Sequence, residues 1–261
     1  MKTRLDQAVF ARGLTRSRSE AGSWIGLGKV LVNGRVTLKS GQFVSVSDKI
    51  ELKTDQKYVS RAGLKLASVV DKFGINFADT VVIDVGSSTG GFTDYALQHG
   101  ARKVIAVDVG TDQLHPSLQG HPQIELHEKT DIRSVRMSNL ESRMSNESQG
   151  ARSNVEIRDS NIDIIVIDVS FISLREILPH IEYYIADKDT TILAMVKPQF
   201  EAGRYQVSKG IIKNDAVRRE ILRDFEVWAK QYFVIRDKAD SDVAGSRGNR
   251  ERFYLMKRAS H

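Results

Sequence analysis

The sequence predicts an α/β protein: a doubly wound, mostly parallel sheet preceded by a small α+β module. Two observations place the sheet. From residue 59 onward, strand-like runs alternate with amphipathic helical segments. The runs VVI (81–83), VIAV (104–107), IIVI (164–167) and ILAMV (192–196) are apolar at consecutive positions, as strands covered on both faces are. A third observation sets the module apart. Residues 1–55 hold ten Lys/Arg against five Asp/Glu, a surplus of five out of a net charge of +6 for the chain.

Taken in order, RLDQAVFARGL (4–14) carries Leu5, Ala8, Val9 and Leu14 at helical spacing, with Gly13 as a stop. Thr15 or Ser17 caps a second helix, SRSEAGSWIGLG. VLVNGRVT and VSDKIEL are short β-type runs, and Asn33-Gly34 is a hairpin turn signal. Arg12, Arg16, Arg18 and Lys29 are expected on and between the two helices. The polar stretch KTDQKY (53–58) reads as a junction, giving a first domain at 1–54, a linker at 55–60 and a second domain at 61–261.

In the second domain, VSRAGLKLASVVDKFGI is an amphipathic helix with Leu64, Leu66, Val69 and Val70 toward a core. Then follow strand TVVIDVG, helix TGGFTDYALQHG, strand KVIAVDVG, a short strand QIELHEK and the buried strand NIDIIVIDVSF. Helix SLREILPHIEYYI, strand TTILAMVKPQF and a long helix capped by Asn214 come next. YFVIRDKADSD and RERFYLMKR close the chain as a pair of strands. Residues 134–160 are rich in Ser, Asn, Arg and Glu, with RMSN repeated at 136–139 and 143–146, and read as a long mobile surface insertion.

The chain has no cysteine, which removes disulfides, thiolate metal sites and a Cys nucleophile. It has no apolar run near the ~20 residues of a membrane span, and MKTRLDQAVF lacks a signal-peptide core. A soluble, cytoplasmic protein is expected, without membrane or metal. The basic first fifth points to a polyanion such as nucleic acid.

DVGSSTGGF (84–92) is a glycine-rich turn after a buried strand. Gly86 and Gly91 have P-loop separation, but Phe92-Thr93 follow in place of Lys-Ser/Thr. The second glycine of the dinucleotide loop is absent too. The pattern D-x-G-x-x-x-G-G fits a ligand without phosphates. Gly86 turns the chain off the strand, and Gly90 and Gly91 let a ligand lie against the backbone; Ser87 and Phe92 complete the loop. Asp84 favours an amine-bearing ligand. Asp108, ending the next strand, suits both hydroxyls of a ribose. Asp131 is placed to reach an adenine amino group. Any one such Asp is also a common helix cap or turn residue. Together with the glycines they suit S-adenosylmethionine.

Other charges stand where such sheets place chemistry: Asp168 after IIVI, Lys197 after ILAMV, Lys65 in the helix before the first strand, and Glu251 after GSRGN. A ribose hydroxyl must shed a proton to react, and a lysine with a lowered pKa can take it. Separately, Lys65 also reads as a solvated helix residue, Lys197 as a snorkelling strand end, and Glu251 as one of several charges that RGNRERF offers to a surface strand.

The chain as a whole resembles the TlyA family of ribosomal RNA 2′-O-methyltransferases, once labelled haemolysins. The resemblance runs through RLDQAVFARGLTRSRSEAGSWI, GKVLVNG, YVSRAGLKL, DVGSSTGGFTD, VIAVDVG, EKTDIR, DVSFISL, VKPQFE and GNRE. The first module is similar to the alpha-L RNA-binding motif of a small-subunit ribosomal protein. The rest resembles the Rossmann-like FtsJ methyltransferase fold. The resemblance implies a Lys-Asp-Lys-Glu tetrad at Lys65, Asp168, Lys197 and Glu251, with Lys197 as general base or hydroxyl-steering lysine. It also implies methyl transfer to a cytidine 2′-oxygen of ribosomal RNA. Three features depart from the family pattern: the length of 134–160, the lack of aromatics in VGTDQLHPSLQG, and Arg250 in place of an apolar residue. Arg4, Arg12, Arg16, Arg18 and Lys29 are the phosphate-side candidates, and Arg61 and Arg204 are candidates near the pocket.

The rival functions are a non-catalytic RNA-binding ribosome-assembly factor, a base-directed RNA methyltransferase and a membrane-lytic protein. Four charges at strand ends argue against the first. The reading DVSF in place of Asn/Asp-Pro-Pro-aromatic argues against the second, and the missing apolar segments against the third.

Overall fold

The computed structural model describes residues 2–15, 17–26, 28–52, 57–138, 155–158, 161–203, 206–207, 210–212, 214–245 and 248–259. The chain forms two compact units, Met1–Lys57 and Tyr58–His261.

The first unit runs β1 (Lys2–Arg4), α1 (Leu5–Ala11), α2 (Arg18–Gly26), β2 (Val30–Val32), β3 (Arg35–Val36), β4 (Phe43–Ser45) and β5 (Ile50–Leu52). Leu5, Ala8 and Val9 of α1 meet Ala21 and Ile25 of α2 in a core closed by Val30, Val44 and Ile50. Leu14 packs at its edge. Of the two expected caps, Ser17 does the work, its Oγ accepting from Glu20 N at 3.1 Å. Asn33-Gly34 joins β2 to β3, with β5 on the other side of β2. Strand β1 was not expected. KTR carries no apolar signal, and it becomes a strand by pairing antiparallel with β4.

The second unit runs α3 (Arg61–Phe73), β6 (Val81–Val85), α4 (Gly91–Gln98), β7 (Lys103–Val107), β8 (Ile124–His127), β9 (Val135–Met137), β10 (Val155–Ile157), β11 (Ile164–Ile167), α5 (Leu178–Tyr184), β12 (Thr191–Val196), α6 (Pro198–Glu201), α7 (Asp215–Ala229), β13 (Phe233–Asp240) and β14 (Arg252–Arg258). Its main sheet has the order β13-β14-β12-β11-β6-β7-β8. The five strands from β12 to β8 are parallel, and β14 and β13 run antiparallel to them. Every residue of β6 and β11 is buried, because each lies between two strands and beneath an apolar layer on either face. The strand order reverses between β6 and β11. The carboxyl ends of those two strands splay their loops apart there, opening a crevice.

Three expectations change. On α3 the buried face is Gly63, Lys65, Leu66, Val69 and Val70, while Leu64 is exposed. The helical period decides this: Lys65 lies one turn before Val69, and Leu64 lies off that face. The insertion is shorter than 134–160. Val135, Met137 and Ile157 are buried where β9 and β10 pair in parallel, leaving 139–154 outside the described residues. Two three-residue strands inside a polar stretch carry too little periodicity to read. Segment 173–185 is broken into a 3-10 turn at Leu174–Glu176 and then α5, with Pro179 in the first turn of the α-helix. At the junction, Tyr58 is buried and tilted against Tyr95.

Candidate active site

Three adjacent strands bring the charged residues together. Asp168 follows β11 and Lys197 follows β12, its parallel neighbour. Glu251 precedes β14, one position beyond the antiparallel pair Val196↔Arg252. Lys197 Nζ lies 2.5 Å from Asp168 Oδ1 and donates to Ser170 Oγ at 2.7 Å. Lys65, delivered by the buried face of α3, places Nζ 2.5 Å from Glu251 Oε2, with side chains 9% and 2% exposed. The four residues therefore stand as two ion pairs. Buried charges of this kind persist only when paired, since each alone would cost several kcal/mol of lost hydration. Asn249 steadies the approach to Glu251, donating to Gly210 O at 2.9 Å and accepting from Ile212 N at 3.3 Å.

The glycine-rich loop is built differently from its sequence reading. Gly86 has φ +80, and a Cβ there would stand 2.7 Å from Asp168 O, so the turn requires glycine. Gly90 and Gly91, expected to make room for a ligand, also serve the protein's own packing. A Cβ on Gly90 would meet Leu118 and Leu114 at 2.6 and 2.7 Å, and one on Gly91 would meet Ala62 at 2.7 Å. Gly90 is also the N-cap of α4 and has no side chain to offer. Asp84 supplies the missing acceptor: its Oδ2 takes Thr93 N at 2.9 Å and Thr93 Oγ1 at 2.6 Å. Its Oδ1 is buried without a hydrogen-bond partner among the described residues, as is Ser87 Oγ. Burial, reinforced by the neighbouring Asp168 and Asp108 charges, pushes the Asp84 carboxyl up to about 7 against the pull of Thr93.

Two adjoining cavities open here. The larger, about 380 Å3, has apolar walls including Val85, Val107, Ile132, Val169 and Ile177, with Asp108 and Asp131 at its edge. The smaller, about 150 Å3, is lined by Asp84, Ser87, Phe92, Ser60, Ser170 and Lys197. Gly86, Ser88, Asp168 and Ser170 border both. Asp108 is fixed between the loops, accepting Ser88 N at 2.8 Å and Gly110 N at 2.6 Å. Asp131 caps the turn at Ile132–Ser134 and is held by Arg133, which keeps its carboxyl below the usual range. Phe92 is chiefly a core residue against Phe253, with one edge at the smaller cavity.

Sequence reasoning missed Ser170, Thr93 and Phe171. Ser170 and Phe171 stood in view in DVSF. Phe171 is 91% exposed at φ 66, and nothing in the sequence marks that conformation.

In the first unit, the basic candidates are largely engaged. Arg4 and Arg18 share Asp6 at 3.1 and 3.0 Å, with side chains 40% and 51% exposed. They hold the Asp6 carboxyl down to about 2, Arg4 foremost, against the burial that raises it. Arg12 clamps a turn, donating to the carbonyls of Asp48, Ser45 and Val46. Lys29 is half-buried and has no ion pair among the described residues. Arg16 and Arg204 lie outside the described residues. Among the described residues, no helix is long and apolar enough to cross a membrane.

A mostly parallel seven-stranded sheet, closed by an antiparallel pair and carrying its crevice at the strand-order reversal, is the architecture of a Rossmann-like methyltransferase. The chain belongs to the FtsJ-like methyltransferase family, whose model matches residues 58–258, and an S4 domain matches residues 3–50. It is 37% identical over 216 residues to the 16S/23S rRNA (cytidine-2′-O)-methyltransferase TlyA of Mycobacterium tuberculosis, covering 82% of this chain and 74% of that protein. It is 38% identical to Hemolysin A of Brachyspira hyodysenteriae, covering 85% of each. Among solved structures, a Streptococcus thermophilus protein described as a hemolysin superposes with a TM-score of 0.73 at 32% identity, covering 99% of this chain and 89% of that one.

Proposed function

We propose that this chain transfers a methyl group from S-adenosylmethionine to the 2′-oxygen of a cytidine ribose in ribosomal RNA. The observation that carries the reading is the Lys197 side-chain nitrogen, held by Asp168 and Ser170 at the edge of the smaller cavity, with the Lys65–Glu251 pair contributed by α3 and the residue before β14. The family and the substrate in the M. tuberculosis relative's name support it.

S-adenosylmethionine, when bound, supplies a methyl group on a positively charged sulfur. The residues present fit it. Asp84 Oδ1 and Ser87 Oγ are buried polar atoms awaiting partners beside the smaller cavity, matched to the ammonium end of an amino acid. The walls of the larger cavity suit a purine, with Asp108 for the ribose hydroxyls and Asp131 toward the adenine amino group. On the acceptor side, the ribose hydroxyl loses its proton as its oxygen gains a methyl. Lys197 Nζ steers that hydroxyl and, in its neutral amine form, takes the proton to become the ammonium; Asp168 and Ser170 fix Nζ in place. Glu251 orients Lys65 as the second cation of the site. In the first unit, Arg4, Arg12, Arg16, Arg18 and Lys29 hold RNA phosphates, which position the strand without reading its sequence.

The test is methyl transfer from radiolabelled S-adenosylmethionine to unmodified small and large ribosomal subunits separately, with Lys197→Ala alongside. Label that survives base removal is expected on the wild type. Lys197→Ala should lose about 10²–10⁴-fold in rate while still binding the cofactor. Cofactor binding with no label on either subunit would point instead to a non-catalytic RNA-binding factor. Label lost with the bases would point to a base-directed enzyme.

A further inference from the structure

We propose that Glu201 is a positioning residue of this site, its carboxylate fixing the turn 168–174 that carries Asp168 and Ser170 to Lys197. The inference rests on the reading of Lys197 and Asp168 as reaction-side residues.

The single-turn helix α6 grips that turn at three points. Lys197, its N-cap, holds the start through Asp168 and Ser170. Phe200 packs against Phe171 in the middle, ring centroids 5.3 Å apart. Glu201 holds the end: Oε2 accepts Ser173 Oγ at 2.6 Å, and Oε1 accepts Leu174 N at 2.7 Å. The Arg175 guanidinium stands 3.7 Å from Oε2, and the Glu201 side chain is 1% exposed. Burial raises this carboxyl, and Ser173, Leu174 and Arg175 oppose the rise.

The turn needs such a grip. Phe171 has φ 66, a conformation that is strained for a bulky residue and persists only where the surroundings enforce it. Its ring is almost fully exposed, so burial of that side chain does not supply the constraint. The fixed ends do. The first of those ends is Asp168 and Ser170, which border both cavities. A buried carboxylate is a costly way to close a loop unless its donors are kept in place. Here each donor belongs to the turn.

The experiment compares wild type, Glu201→Ala and Glu201→Gln in the full chain. It reads methyl transfer per titrated S-adenosylmethionine site, and hydrogen exchange across 168–174. Glu201→Ala should lose about tenfold or more in turnover per site, since displacements near 1 Å at a reacting group can cost up to about a hundredfold. Exchange at the Leu174 amide should accelerate by about tenfold. Glu201→Gln keeps an acceptor for Leu174 N and should stay within about threefold of wild type on both readouts. A merely structural role would lower the number of binding-competent molecules and leave turnover per site unchanged. That result, or unchanged exchange in Glu201→Ala, overturns the proposal. If Glu201→Ala does not fold, Ser173→Ala removes one of the two bonds and must speed exchange and slow turnover; unchanged values overturn it equally. Wild type that labels neither subunit would sink the methyltransferase reading, while the exchange comparison would still decide whether Glu201 fixes the turn.

Discussion

Asp84 accepts from the first turn of α4 and Asp6 lies in the first turn of α1, and the protein moves the two carboxyls in opposite directions. Asp84, enclosed at the end of β6, is pushed up to about 7 by burial, with Asp168 and Asp108 adding to the rise. Asp6, between Arg4 and Arg18 in the first unit, is pulled down to about 2. The same contrast holds for the cations. Lys65 and Lys197 are enclosed and each is matched to one carboxylate. Arg4 and Arg18 are about half exposed and share one. A charge in the sheet crevice survives only as part of a fixed pair or with a ligand to answer it. The arginines of the first unit keep much of their water and stay free to exchange one anionic partner for another, although Asp6 between them is itself buried.

The sharpest way to break this contrast is to remove one half of an enclosed pair. Lys65→Met should destabilise the protein by about 3–5 kcal/mol, because it leaves Glu251 buried alone. Lys65→Met combined with Glu251→Gln should recover much of that loss in denaturant melts, without recovering activity. A single variant within about 0.5 kcal/mol of wild type would mean that the pair is solvated.

Asp84 comes next. Its folded pKa lies above the ordinary value near 4, so its burial costs stability progressively as pH rises from about 4 through about 7. An ammonium-bearing ligand favours the charged carboxylate. Affinity for S-adenosylmethionine should therefore rise about tenfold per pH unit up to about 7 and level off above it, with proton release on binding below that pH. Asp84→Asn should flatten this dependence in calorimetric titrations. A pH-independent wild type would show that Asp84 does not answer the ligand's charge.

On the first unit the effects are smaller. Lys29→Glu should weaken RNA binding at all sequences alike and reduce the salt slope of binding by about 1; an unchanged slope would remove Lys29 from the phosphate contacts. Asp6→Asn should cost about 1 kcal/mol at neutral pH, because its arginines are well hydrated. Asp6 has a depressed pKa, so its contribution is present above the ordinary value near 4 and fades as pH falls through about 2. The difference between wild type and Asp6→Asn should close over that acid range.

The sequence by itself determined the alternation of strands and helices, the burial of VVI, IIVI and ILAMV, and the positions of Asp168 and Lys197 at strand ends. Those follow from local periodicity and from the rule that parallel strands end in loops on one side of the sheet. Tertiary structure decided the rest. It turned Lys65 inward and Leu64 outward, because the face of α3 is set by what it packs against. It made strands of KTR and of the two flanks of the polar insertion, because pairing partners distant in sequence supplied the hydrogen bonds. It spent Gly90 and Gly91 on Leu114, Leu118 and Ala62, and made Asp84 the cap of α4. A carboxylate's neighbours across space fix its charge and its partners, and spacing along the chain does not record them.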